Sequence, residues 1–200
     1  MITIGITGGI GSGKSYISNM LRQRGILVFD CDTEAKKLTI EDRNIRQQLQ
    51  ALLGEEVYTN TGVNKQMLAT YLFASKDNAA RVNAIIHPVV RQAFRDWVIK
   101  CKSEGYMIVA MESAILFESG FDSEVDKVLM VHAPQEIRCL RVMQRDHASI
   151  DEVKKRIASQ YSDEEKIIKS DFVIENDGVQ SLDNQLDKLF STLNNIKAGK

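Results

Sequence analysis

Gly8-Gly9-Ile10-Gly11-Ser12-Gly13-Lys14-Ser15 reads GxxxxGK[ST], a spacing with a definite chemical use. The glycines let the backbone curl until several N–H groups face an anion, and the helix that opens behind them adds positive potential. Lys14 is long enough to reach the outer phosphates of a triphosphate, and the Ser15 hydroxyl suits magnesium. The dinucleotide fingerprint GxGxxG does not fit the same loop, because a start at Gly9 puts Lys14 at the last glycine position and a start at Gly11 puts Tyr16 there. The predicted ligand is a nucleoside triphosphate.

Such loops serve GTPase switches, motors and kinases alike, so other residues must choose among these. The switch strings DxxG and NKxD do not occur in the sequence. A kinase needs a carboxylate near the acceptor hydroxyl, cations over the phosphoryl group and a cover that excludes water. Asp30 and Asp32 follow the second apolar run and would stand beside the phosphate loop if the first two strands are neighbours. Asp32 reads equally as the N-cap of the helix opened by Thr33-Glu34-Ala35-Lys36, and Asp30 as a carboxylate holding magnesium through water. Arg138, Arg141 and Arg145, at i, i+3 and i+7, form a basic stripe that is either a solvated helix face or the cationic part of a transfer site. From Asp146 to Lys169 large apolar residues are few and Arg156 and Gln160 point the same way, which predicts little firm burial, as in a moving lid or an exposed hairpin.

The elements that must position these groups are apolar runs separated by helical patterns. Ile2 to Thr7 reads as a buried strand, Lys14 to Arg24 as a helix stopped by Gly25, and Ile26-Leu27-Val28-Phe29 as a second strand. Strand character returns at Tyr106 to Met111, Lys127 to Val131 and Phe172 to Ile174. Between Thr33 and Lys102 the period is helical with no strand, and Pro88 predicts either a kink or a second helix. Val179, Leu182, Leu186, Leu189, Leu193 and Ile196 predict an amphipathic closing helix. This alternation implies an α/β fold, a parallel sheet with helices on both faces.

Composition bounds the rest. Lys and Arg number 26 against 27 acids, so no global positive field awaits a nucleic acid or an anionic membrane. The start lacks the basic region of a signal peptide and no apolar run spans a bilayer, which predicts a cytoplasmic protein, with a monomer as the default expectation. Cys31, Cys101 and Cys139 have no CxxC spacing and predict reduced thiols, not a zinc site or a disulfide framework.

The string from Ile6 to Ser15, with Asp-x-Asp after the second strand, resembles the dephospho-CoA kinase family. His87-Pro88 with Arg91, Leu116-Phe117-Glu118, Arg141, Arg145-Asp146, Arg156, Gln160, Lys166, Asp171 and Asn176 follow in that family's order, over nearly the whole chain. The resemblance implies a P-loop kinase-like fold and transfer of the ATP γ-phosphate to the ribose 3′-hydroxyl of dephospho-CoA, with Mg2+ as cofactor. It implies a core of residues 1–32, 103–140 and 170–200, a helical acceptor-binding insertion over 33–102 and a helical lid over 141–169. Asp32, Lys14 and Arg145 would be catalytic, and Gly9, Gly11, Ser12, Gly13, Lys14, Ser15, Tyr16, Arg141 and Asn176 would bind ATP, with Ser15 on the metal. Asp30, His87, Arg91 and Phe117 would bind the acceptor. Within kinases, another metabolite or nucleoside monophosphate kinase stays open, and outside them a nucleotide-binding regulatory module. Cys31 replaces the usual alanine, Tyr16 a smaller residue, and Ser113-Ala114 a proline-bearing stretch.

Overall fold

A computed structural model describes residues 1–60 and 62–197 as two compact units, one of Met1–Phe29 with Cys101–Lys200 and one of Asp30–Lys100. In chain order the elements are β1 (Ile2–Thr7), α1 (Lys14–Gln23), β2 (Leu27–Asp30), α2 (Cys31–Glu41), α3 (Arg43–Leu53), β3 (Tyr58–Thr59), β4 (Gly62–Val63), α4 (Lys65–Ala74) and α5 (Lys76–Ser103). Then come β5 (Ile108–Glu112), β6 (Lys127–His132), α6 (Gln135–Asp146), α7 (Ile150–Ala158), α8 (Asp163–Lys169), β7 (Phe172–Glu175) and α9 (Leu182–Lys197).

The first unit is built on a five-stranded sheet in the order β2-β5-β1-β6-β7. β1 pairs in parallel with both β5 and β6, and β6 with β7. A central strand has no solvent face, which is why Thr3 to Thr7 are all buried although Thr and Gly alternate with Ile. Ile4, Ile6, Leu129, Val131 and Ile174 pack with Ile17 and Leu21 of α1 and with Leu186, Leu189 and Leu193 of α9 in one cluster. Each such side chain contributes roughly 1.5–3 kcal/mol by leaving water. Val179 lies before the closing helix and is exposed; the side chain of Ile196 lies outside the described residues.

The order corrects one expectation: β5, not β2, flanks β1 on that side, so the first two strands are not neighbours. β5 also starts two residues late and ends on Glu112, carrying a carboxylate to the sheet's carboxyl edge. All three cysteines are buried and none forms a disulfide.

In the second unit Ile45, Leu49, Val57, Tyr58 and Val82 form the core, and the Tyr58 hydroxyl donates to the Thr39 carbonyl at 2.6 Å. The β3–β4 hairpin, two residues a side, was not expected in this block, because strands that short carry no periodicity. Pro88 sits inside one continuous 28-residue helix, its single lost hydrogen bond outweighed by the turns on either side. Among the described residues no helix is long and apolar enough to cross a membrane.

Candidate active site

The parallel sheet brings the phosphate loop, Glu112, His132 and Asn176 to one edge, where open α/β sheets bind ligands. The loop is held by its carbonyls. Lys14 Nζ donates to Gly8 O at 2.9 Å and Gly9 O at 3.3 Å, and Asn176 Nδ2 donates to Ser12 O at 2.8 Å. Arg141 reaches Gly11 O and Ser12 O at 3.5 and 3.4 Å with Nη1, and Asn176 O at 3.1 Å with Nη2. Drawing carbonyls toward protein donors turns the loop's amides the other way, as a phosphate cradle requires. Gly13, the N-cap of α1, has φ 95° and no capping side chain, and a Cβ there would run into Asn176. Gly9 allows a second close approach, since a Cβ would overlap the Arg138 guanidinium.

Ser15 Oγ donates to Glu112 Oε1 at 2.7 Å. Glu112 is buried, and sequence reasoning missed it; its only signal was a carboxylate closing an apolar run. A serine hydroxyl beside a carboxylate is a hard oxygen set of the kind magnesium takes, one or two protein ligands with phosphates and water completing the shell. Among the described residues there is no cluster of three or more His, Cys, Asp or Glu that could hold a metal ion.

The arginine stripe divides. Arg138 is 3% exposed and pairs with Asp163 at 2.7 Å, Arg141 is half-buried on the loop, and Arg145 is exposed. Arg145 grips Asp146 through Nε and Nη2 at 2.7 and 3.0 Å, and Arg156 adds a bond to the same carboxylate at 2.7 Å. Hydrogen bonding to Arg145 first, then to Arg156, lowers the Asp146 carboxyl to about 2. Arg156 and Gln160 do not point the same way, because α7 ends at Ala158 and Gln160 turns back to accept from the Ile10 amide at 2.9 Å.

The stretch expected to lack firm burial contains two fully buried side chains. Val153 packs with Cys139 and Val142, and Lys166 donates to Ala114 O at 2.9 Å and pairs with Glu118 at 3.0 Å. A lysine is normally read as exposed, and only this local cage of oxygens reverses that.

Residues 2–181 match the family described as Dephospho-CoA kinase. The chain belongs to the dephospho-CoA kinase family. A Bacteroides fragilis dephospho-CoA kinase is 50% identical over 192 residues, covering 96% of this chain and 93% of that one. A crystal structure of a Thermus thermophilus protein superposes with a TM-score of 0.81 at 32% identity, covering 97% of each chain. A dephospho-CoA kinase from Campylobacter jejuni, with a TM-score of 0.67, 24% identity and 98% of each chain covered, shares the fold.

Against this family pattern, Tyr16 is 60% exposed on α1, and Ala114, in the stretch where proline is usual, offers its carbonyl to Lys166. Phe117 is buried with Lys169 Nζ 5.7 Å from its ring centre. In the second unit the cap of α2 is Asp30, not Asp32: its two oxygens accept from the Thr33 amide and hydroxyl, each at 2.9 Å. Asp32 stands exposed in the first turn. His87 and Arg91 lie four apart within α5, so His87 is not at a helix boundary; burial, and then the Arg91 charge, lower its pKa.

Proposed function

We propose that the chain transfers the γ-phosphoryl group of ATP to the ribose 3′-hydroxyl of dephospho-CoA, giving coenzyme A and ADP, the last step of coenzyme A synthesis. The observation that carries the reading is the Ser15–Glu112 contact at the foot of a carbonyl-anchored phosphate loop, in a chain matched to one kinase family over residues 2–181.

Gly9, Gly11, Ser12, Gly13 and Lys14 bind the triphosphate through loop amides and the ammonium group, and Arg141 and Asn176 keep the loop in shape for it. Ser15 and Glu112, already in contact, would hold Mg2+. When bound, the ion would neutralise charge at the phosphoryl oxygens. Tyr16 borders the nucleotide from the exposed face of α1. Asp32, exposed in the first turn of α2, accepts the proton of the attacking hydroxyl, the role that the family resemblance implies for it. Arg145 stabilises the phosphoryl group in flight after exchanging Asp146 for it.

His87, Arg91 and Phe117 contact the acceptor, and residues 33–102 and 141–169 serve as acceptor-binding insertion and lid. Asp30 contacts the acceptor as well, each of its two cap-bonded oxygens keeping a further lone pair. The reaction takes place in the cytoplasm, and a monomer is the default expectation for the oligomeric state, which light scattering tests. Purified protein with Mg-ATP is expected to release ADP with dephospho-CoA but not with AMP or shikimate, the phosphate appearing on the 3′ position by mass and NMR. Equal turnover on AMP defeats the reading.

A further inference from the structure

We infer that Gln160, Glu118 and Lys166 are positioning residues, through which one short piece of backbone holds the phosphate loop and the Phe117 corner in fixed register. Gln160 Oε1 accepts from the Ile10 amide of the loop at 2.9 Å, and the next amide, Tyr161, donates to Glu118 Oε1 at 2.8 Å. Asp163 pairs with Arg138 at 2.7 Å, directly behind Gly9. Lys166 closes the chain of contacts on Ala114 O at 2.9 Å and Glu118 Oε1 at 3.0 Å, one residue past Phe117. A reciprocal capping box between Ser162 and Glu165 fixes the turn between these anchors.

The energetics favour geometry over stability as the reason for this pair. Lys166 is fully buried, Glu118 carries both donors on one oxygen, and its Oε2 is buried with no hydrogen-bond partner. A buried pair with an unsatisfied oxygen stabilises a fold little more than apolar residues of the same volume, whereas it fixes where the two segments sit. Misplacement of a reacting group by about 1 Å costs about a hundredfold in rate, so a register held from both ends has kinetic consequences.

The inference rests on the reading of Phe117 as an acceptor contact, and the test separates the two. For Gln160→Ala, kcat should fall by about tenfold or more and KM for ATP should rise, with KM for dephospho-CoA unmoved. For Lys166→Met, near wild type in volume, KM for dephospho-CoA should rise and kcat fall with KM for ATP unmoved. Thermal unfolding of each variant shows whether lost rate merely follows lost folded protein. A folded Gln160→Ala enzyme with unchanged kcat and KM for ATP overturns the inference, as does activity lost only in proportion to unfolding. Phe117→Ala with unchanged KM for dephospho-CoA defeats the acceptor reading instead, whatever Gln160 shows.

Discussion

Ser15 and Glu112 are 97 residues apart in sequence and 2.7 Å apart in space, the hydroxyl of the first turn of α1 donating to the carboxylate that ends β5. Strand pairing makes the contact: β5 runs parallel to β1 with Ile6 opposite Glu112, so the carboxylate emerges where the phosphate loop begins. On the proposed function, a buried carboxylate facing that hydroxyl would act on magnesium directly or through water. Glu112→Gln keeps a hydrogen-bonding side chain and removes the charge. The magnesium concentration for half-maximal rate should rise by about 10–100-fold at fixed ATP, the range for losing a group that orients a metal ligand. An unchanged magnesium titration would remove Glu112 from the site.

Asp32→Asn should leave ATP affinity intact and lower the single-turnover rate by about two orders of magnitude, the usual size of general-base catalysis. Lys14→Ala should lower both, because Lys14 also ties down the carbonyls of Gly8 and Gly9. Equilibrium binding of a non-hydrolysable ATP analogue beside the rate separates the two effects.

Arg138→Ala leaves the half-buried Asp163 without its partner and opens the space behind Gly9. Breaking a buried ion pair from one side costs about 3–5 kcal/mol, read as a lower urea midpoint. The Arg138→Met, Asp163→Leu double variant should lose less, since no buried charge is left alone.

Asp146 titrates near 2 in the folded chain against 3.8 ordinarily, because Arg145 and then Arg156 hydrogen-bond the ionised form. The folded state binds this proton less tightly, so the contribution of the contact is present above about pH 3.8 and is lost as the pH falls through about 2. A carboxyl-carbon NMR titration should show that midpoint, and Arg145→Gln should move it back toward the ordinary value.

His87 titrates below its ordinary 6.5, burial being the larger cause and the Arg91 charge the smaller, so it is neutral at pH 7. A depressed histidine favours the folded state above its unfolded pKa, and that preference is lost as the pH falls below about 6.5. Urea stability should decline from pH 7 to 5, and His87→Gln should flatten the decline; an identical slope in the variant would rule the residue out.

Much of the core and the loop was legible in the chain itself. Local patterns carry them: β-branched runs at Ile2, Val128 and Phe172, the helix stop at Gly25, and eight consecutive residues from Gly8 to Ser15 whose spacing is itself the binding geometry. Even the alternation of strand and helix determined a parallel sheet, because apolar strands joined by helices have no other way to cover both faces.

What folding alone decided are relations between residues far apart. Strand order moved β2 away from β1 and installed Glu112 beside Ser15, an outcome that no local window contains. The stripe of three arginines became one buried strut, one loop clasp and one exposed partner of Asp146 because the helix presents each to a different neighbour. Lys166 and Gln160 lie in a stretch whose polar composition predicts little firm burial, and are held because oxygen and amide partners from distant segments meet them. Sequence fixes the chemistry that each side chain can offer and the period on which it repeats; only the packed sheet and its covering helices determine which of those groups face one another.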